Sequence, residues 1–158
     1  MKNPILGIIG GGQLGSLLSV AANKIGIKTV ILSDDENAPA KNFTEKFIYG
    51  KYDNKSITQE FIDSVDLVTY EFENIPFNIL QSINNEKTVL PKPEINNLIQ
   101  NRLTEKNFLN DINIQTTQYV SIKHIDELKE NENFLPGLLK TTTLGLSLIH
   151  ISEPTRHA

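Results

Sequence analysis

Short apolar runs alternate with stretches of helical periodicity along the first ninety residues. Residues 4–10 form an apolar, partly β-branched run closed by glycines, the pattern of a buried parallel strand. From Gln13 the apolar positions Leu14, Leu17, Leu18, Ala21, Ala22 and Ile25 follow helical spacing. Gly26 sits where a left-handed C-terminal residue is wanted. A second strand is predicted over 27–32, a polar loop with Pro39 over 33–40, and a brief third strand over 46–49, before a turn at Asp53 and Asn54. The spacing predicts a helix over 56–64 with Ile57, Phe61 and Ile62 inward. It then predicts a fourth strand over 66–70, a short helix over 77–83 and a fifth strand over 88–90. Strands alternating with helices imply right-handed βαβ units and a mostly parallel sheet with helices on both faces, an α/β Rossmann-like fold.

Pro91 and Pro93 punctuate the end of this first unit, assigned to residues 1–93. Beyond it the pattern predicts helix over 94–111, strand over 117–122, helix over 125–130 and strand over 138–141. Two strands and two helices leave a sheet with open edges and little core, so 94–145 is expected to be the opening of a second, incomplete domain. No internal repeat or low-complexity segment is present.

Composition narrows the function classes. A chain of 158 residues matches one domain, or one and part of another. No apolar run is long enough to span a bilayer, so no membrane association is expected, and the run at 5–9 is too short for a secretory signal. Cysteine is absent, which removes disulfides, thiolate nucleophiles and thiolate metal sites and fits a cytoplasmic setting. The net charge of −4, without a basic cluster, argues against nucleic acid and for a small-molecule ligand.

Gly10, Gly12 and Gly15 form GxGxxG directly after a strand and into a helix, the context that motif requires. Gly10 permits the tight turn, Gly12 lets a ligand approach the backbone, and Gly15 lets the helix pack on the strand. The helix N-terminus supplies free N–H groups and a partial positive charge suited to an acceptor-rich ligand. A dinucleotide site also wants an acid near the end of the second strand. Asp34 and Asp35 are close to that place, yet with Glu36 they form a charge run of the kind that is usually solvated. On this pattern alone, an NAD-binding oxidoreductase and a non-catalytic ligand-binding module both stay open.

The last thirteen residues change style. Up to residue 145 the chain is rich in Lys, Asn and Ile, and Arg102 is its one arginine. Residues 146–158 read LSLIHISEPTRHA, with no Asn or Lys and two of the three histidines. LSLIHISEPTR resembles a translated sequencing-library adapter, so 146–158 is expected to be a non-native tail, excluded from fold reasoning. A metal site at His150, Glu153 and His157 is accordingly not assigned. His124, at the start of a polar helix, is expected to be exposed.

Four segments carry a family resemblance: GIIGGGQLGSLL at 7–18, VTYEFENIP at 68–76, NRLTEKNFL at 101–109 and LPGLLKTTTLG at 135–145. In this order and spacing they resemble the N5-carboxyaminoimidazole ribonucleotide synthetases, ATP-grasp enzymes of purine biosynthesis. The resemblance spans essentially all of residues 1–145. It implies a Rossmann-like pre-ATP-grasp domain followed by the truncated start of an ATP-grasp domain. The implied reaction is ATP-dependent carboxylation of 5-aminoimidazole ribonucleotide by bicarbonate through carboxyphosphate, in an enzyme that is homodimeric when full length. By resemblance Gly12, Gln13 and Leu14 contact the ribonucleotide, Glu71 accepts hydrogen bonds from it with Glu73 ranked second, and Arg102 and Lys140 contact ATP. A planar guanidinium suits bidentate phosphate contacts, and a carboxylate suits hydroxyl donors. The family usually has arginine where this chain has Ser16. The catalytic residues and the acids for Mg2+ are expected downstream of residue 145, so the chain as it stands is expected to be inactive.

Overall fold

The computed structural model describes residues 3–143 together with 148 and 149, and these fall into two units divided between Asn97 and Leu98. In the first, β1 (Ile5–Ile9), β2 (Lys28–Ser33), β3 (Lys46–Tyr49) and β4 (Leu67–Tyr70) form one parallel sheet in the order β3-β2-β1-β4. The chain steps outward from β1 to β2 and β3, then returns to lay β4 on the other side of β1. The winding therefore reverses between β1 and β4. In open parallel sheets the crevice beyond the carboxyl ends of such a pair is where ligands bind.

Alternation along the strands sorts the core into two layers. Ile8 and Ile31 face one side, where Leu18 of α1 (Gln13–Lys24) and Ala40 of a 3-10 turn (Pro39–Phe43) cover them. Ile9, Val30 and Leu32 face the other, against Phe61 and Ile62 of α2 (Lys55–Asp63) and Leu80 and Ile83 of α3 (Phe77–Asn84). Phe61 is fully buried, and burial of one such ring stabilises by roughly 1.5–3 kcal/mol. The predicted turn before α2 is a cap: Asn54 Oδ1 accepts from the backbone N–H groups of Ser56 and Ile57 at 3.1 and 3.4 Å, worth about 1 kcal/mol.

Several elements differ from the sequence pattern. Only part of the apolar stripe of α1 faces the sheet: Leu18 and Ala22 do, Leu14, Leu17 and Ile25 are exposed, and the buried face is completed by Gly15, Ser16 and Ser19. Small residues let the helix axis approach the strands closely, and that contact outweighs the apolar periodicity. The predicted fifth strand contributes only an isolated parallel bridge, Val68 to Val89. The helix predicted over 94–111 is two, α4 (Pro93–Ile99) and α5 (Arg102–Asp111). Asn101 interrupts it, because its side chain accepts from Leu103 and Thr104 N–H and starts a new helix.

In the second unit residues 117–122 are not a strand. Their polar groups turn to α5 instead: Lys106 Nζ donates to Thr117 O and Oγ1, and Tyr119 Oη donates to Asn107 Oδ1 at 2.6 Å. The helix predicted over 125–130 shortens to α6 (Glu127–Glu130), followed by a 3-10 turn (Glu132–Phe134). The strand predicted over 138–141 is β5 (Leu139–Lys140), antiparallel to β6 (Leu148–Ile149). β6 falls within the segment expected as a non-native tail, and the remainder of 146–158 lies outside the described residues. Among the described residues no helix is long and apolar enough to cross a membrane.

Gly7, in the middle of β1, lies where a Cβ would stand 2.6 Å from Phe61 Cζ and 3.0 Å from Val65 Cγ1, both on buried side chains. Gly7→Ala is expected to lower stability by about 1–3 kcal/mol. The urea midpoint of the 158-residue chain reads this directly, and an unchanged midpoint would show that the layer beneath β1 has slack.

Candidate functional site

The turn that follows β1 is shaped by its glycines. Gly10 has φ +112°, a conformation that side-chain-bearing residues rarely adopt, and its N–H donates to Leu32 O at 2.9 Å. Gly11 is pressed between Ser33 and Ala38, and its carbonyl accepts from Ala40 N–H at 3.0 Å. A Cβ on Gly15 would stand 2.7 Å from Gly10 O, so the first turn of α1 rests directly on the backbone of the loop. The roles expected of Gly10 and Gly15 agree with this geometry.

Glu71 closes the turn from the other side. Its backbone N–H donates to Ile9 O at 3.0 Å, continuing the pairing of β4 with β1, and its side chain folds back so that Oε1 accepts from Gly12 N–H at 2.8 Å. The glycine positions surround that carboxylate: Cβ atoms on Gly10, Gly12 and Gly15 would lie 2.7, 3.1 and 3.5 Å from Oε1. Gly12, Gln13, Leu14 and Glu71 are thus brought together at the carboxyl ends of β1 and β4. Gln13 and Leu14 are exposed there, Leu14 at 62%. Glu73 lies exposed two residues further along the same loop. Ser16 turns inward, its hydroxyl donating to Gly12 O at 3.0 Å, so its side chain serves the turn.

The loop after Glu71 is pinned by Ile75, which is fully buried and whose carbonyl accepts from Asn96 Nδ2 at 3.3 Å. Neither Asn96 nor Tyr52 stands out in the hydrophobic pattern or in any motif. Tyr52 is buried, its ring meets Phe72 at 6.5 Å between centroids, and its hydroxyl faces Asp34. Burial, and then the Asp34 carboxylate with a smaller contribution from Glu71, pushes that phenol far above its ordinary value. Asp34 therefore has a neighbour, while the acidic run as a whole is exposed as expected, with Asp35 Oδ1 accepting from Asn37 N–H. Burial also raises Tyr70, whose hydroxyl is buried without a hydrogen-bond partner. His124 is exposed.

In the second unit Arg102 and Lys140 line one cavity of about 760 Å³, with Tyr119, Ile122, Leu135 and Leu139 among its walls. Arg102 Nη1 donates to Thr141 O at 2.8 Å and its backbone N–H to Thr142 O at 2.8 Å, which ties the start of α5 to the chain just after β5. Lys106 and Lys129 also line it, with Glu132 as the one acid, and a largely apolar cavity with four cationic side chains at its wall has the chemistry to receive a flat ring and a phosphate chain. Among the described residues no group of three or more His, Asp or Glu side chains could hold a metal ion.

The family model for the ribonucleotide synthetase pre-ATP-grasp domain matches residues 1–100. The chain is 39% identical over 142 residues to an N5-carboxyaminoimidazole ribonucleotide synthase of Brucella melitensis, covering 89% of this chain and 39% of that protein. The ADP complex of an N5-carboxyaminoimidazole ribonucleotide synthetase superposes with a TM-score of 0.84 at 33% identity, over 92% of this chain and 39% of the other. The Aspergillus clavatus synthase in complex with ADP and 5-aminoimidazole ribonucleotide superposes with a TM-score of 0.74 at 25% identity, over 86% and 37%. The chain spans at most about two fifths of the length of these relatives.

The Tyr52 environment makes an alkaline prediction. A tyrosine raised above its unfolded value of 10.0 contributes stability that is present below that pH and is lost as the pH rises beyond it, because the unfolded chain releases the proton first. The urea midpoint is expected to hold up to about pH 9.5 and to fall above about pH 10. Tyr52→Phe should flatten the fall, and an equally steep decline in that variant would assign it to other groups.

Proposed function

The chain belongs to the ribonucleotide synthetase pre-ATP-grasp family, corresponding to the N-terminal region of N5-carboxyaminoimidazole ribonucleotide synthases, and on that premise we propose that it forms the ribonucleotide-binding end of a cytoplasmic enzyme that carboxylates 5-aminoimidazole ribonucleotide. The observation that carries this reading is the meeting of Glu71 with the turn at Gly12, beside the exposed Gln13 and Leu14. A carboxylate offers about four acceptor positions, and Gly12 uses one. The others can take hydroxyl or amine donors of a sugar nucleotide, the Gln13 amide can pair with either donor or acceptor, and Leu14 offers an apolar surface to a flat ring.

In the proposed reaction ATP phosphorylates bicarbonate, whose carbon is otherwise a poor electrophile. The amine of the ribonucleotide then attacks that carbon, phosphate leaves, and a carbamate and ADP result. Such chemistry depends on positioning and charge neutralisation more than on covalent participation of the protein. Arg102 and Lys140 would neutralise the nucleotide phosphates at the wall of the second unit's cavity. Magnesium, when bound, would supply further neutralisation of the nucleotide phosphates, and among the described residues no group of three or more acids is placed to hold it.

Calorimetric titration of the 158-residue chain with 5-aminoimidazole ribonucleotide is expected to show saturable binding that Glu71→Ala weakens at least about ten-fold, near 1.4 kcal/mol. Arg102→Ala should weaken ADP by a similar factor and leave the ribonucleotide unaffected. In the full-length enzyme ATP consumption should require bicarbonate and ribonucleotide together, and turnover indifferent to the ribonucleotide would refute the assignment.

A further inference from the structure

In α4 the ordinary order of buried and exposed side chains is inverted. Ile95 and Ile99 are 47% and 42% exposed, while the polar Asn96 between them is fully buried, within the first unit. A buried amide is the informative exception in a core. Asn96 Nδ2 donates to Ile75 O at 3.3 Å, and Oδ1 is buried without a hydrogen-bond partner. Leucine has the same branching and the same number of side-chain heavy atoms and would leave no orphaned oxygen, so packing alone does not account for an asparagine here. What the amide adds is direction. Burial of Ile75 fixes where that side chain sits, but the hydrophobic effect is non-directional. The peptide after Ile75 leads into Pro76 and has no N–H, so its carbonyl is the one polar group by which a hydrogen bond can orient it.

We infer that Asn96 is a positioning residue: its bond to the Ile75 carbonyl sets the course of the loop over 71–76, and so the place from which the Glu71 carboxylate reaches the Gly12 N–H. The loop has two held ends. At the first, Glu71 N–H donates to Ile9 O at 3.0 Å, and at the second, Ile75 O accepts from Asn96 just before α3 begins. Residues 71–76 form neither helix nor strand, so the orientation of one end passes to the other along the backbone. Phe72, whose ring meets that of Tyr52, and Glu73 lie within the same span. An unpaired amide oxygen in the core is then a loss of stability retained for the geometry of a loop, an exchange that belongs to sites more than to packing. That this loop serves a ribonucleotide rests on the proposed function; that Asn96 orients it does not.

The test compares the 15N-labelled 158-residue chain with Asn96→Leu, which keeps the branching and removes the donor, and with Ile62→Ala, which opens a cavity in the same core from α2. In Asn96→Leu the amides of Gly12, Glu71 and Glu73 should shift while those of β2 and β3 hold. In Ile62→Ala the urea midpoint should fall while the amides of Gly12 and Glu71 hold. Calorimetric titration with 5-aminoimidazole ribonucleotide should show affinity weakened at least about five-fold in Asn96→Leu and less than about two-fold in Ile62→Ala. Unmoved Gly12 and Glu71 amides in a folded Asn96→Leu would overturn the inference. So would equal movement in Ile62→Ala, which would mark a general response to core damage, or moved amides with unchanged affinity. Should Asn96→Leu fail to fold, Asn96→Ala carries the same comparison, and failure of both to fold would make the residue structural and refute the positioning role. Moved amides in an otherwise intact Asn96→Leu, with ribonucleotide binding absent even from the unaltered chain, would count against the proposed function and leave the role of Asn96 standing.

Discussion

One hydrogen bond, from the Gly12 N–H to the Glu71 carboxylate, joins two segments 59 residues apart and closes the glycine turn after β1. It exists because β1 and β4 are neighbours in the sheet, so the loops that leave their carboxyl ends emerge side by side. The pairing of Glu71 N–H with Ile9 O brings the acid to within one side-chain length of the turn. Burial of Ile75 then holds the chain beyond Glu71, and Asn96 fastens that residue's carbonyl. Strand order, loop anchoring and the charge at the turn are thus consecutive consequences of one placement.

The two units divide the chemistry. The first presents acids at a backbone turn, a surface with free hydrogen-bond acceptors. The second presents cations at an apolar cavity, a surface suited to phosphates and a flat ring. The two surfaces therefore suit different ligand groups, donors at the first and anions at the second. Arg102 contributes to structure as well as charge, because its bonds to Thr141 and Thr142 hold the wall of the cavity that it lines.

What could be read from sequence follows from how local each cause is. The turn at Gly10 was legible because a positive φ calls for glycine at one position, and Gly26 likewise with φ +79°. The parallel sheet was legible because apolar runs alternate with helical periodicity over short distances. The inward face of α1 was not, since Gly15, Ser16 and Ser19 register as neither apolar nor patterned, while Leu14 and Leu17 do. Residues 117–122 have the composition of a strand, but pairing is a property of the partner, and here the Thr117 carbonyl is taken by Lys106 of α5. The break at Asn101 could have been read, because an asparagine there can cap as well as continue. Glu71 was found through a motif. Its bond to Gly12 and the neighbour of Asp34 depend on tertiary placement, which no single segment encodes.

The contact of Gly15 with the carbonyl of Gly10 carries a consequence for how the turn meets its ligand. Backbone rests on backbone there, with no rotamer in between to yield. Any slide or roll of the helix toward the loop would press Gly15 into the Gly10 carbonyl, so the backbone itself sets the direction of the Gly12 N–H. Preorganisation of this kind leaves the exposed side chains of Gln13 and Leu14 as the adjustable part of the turn.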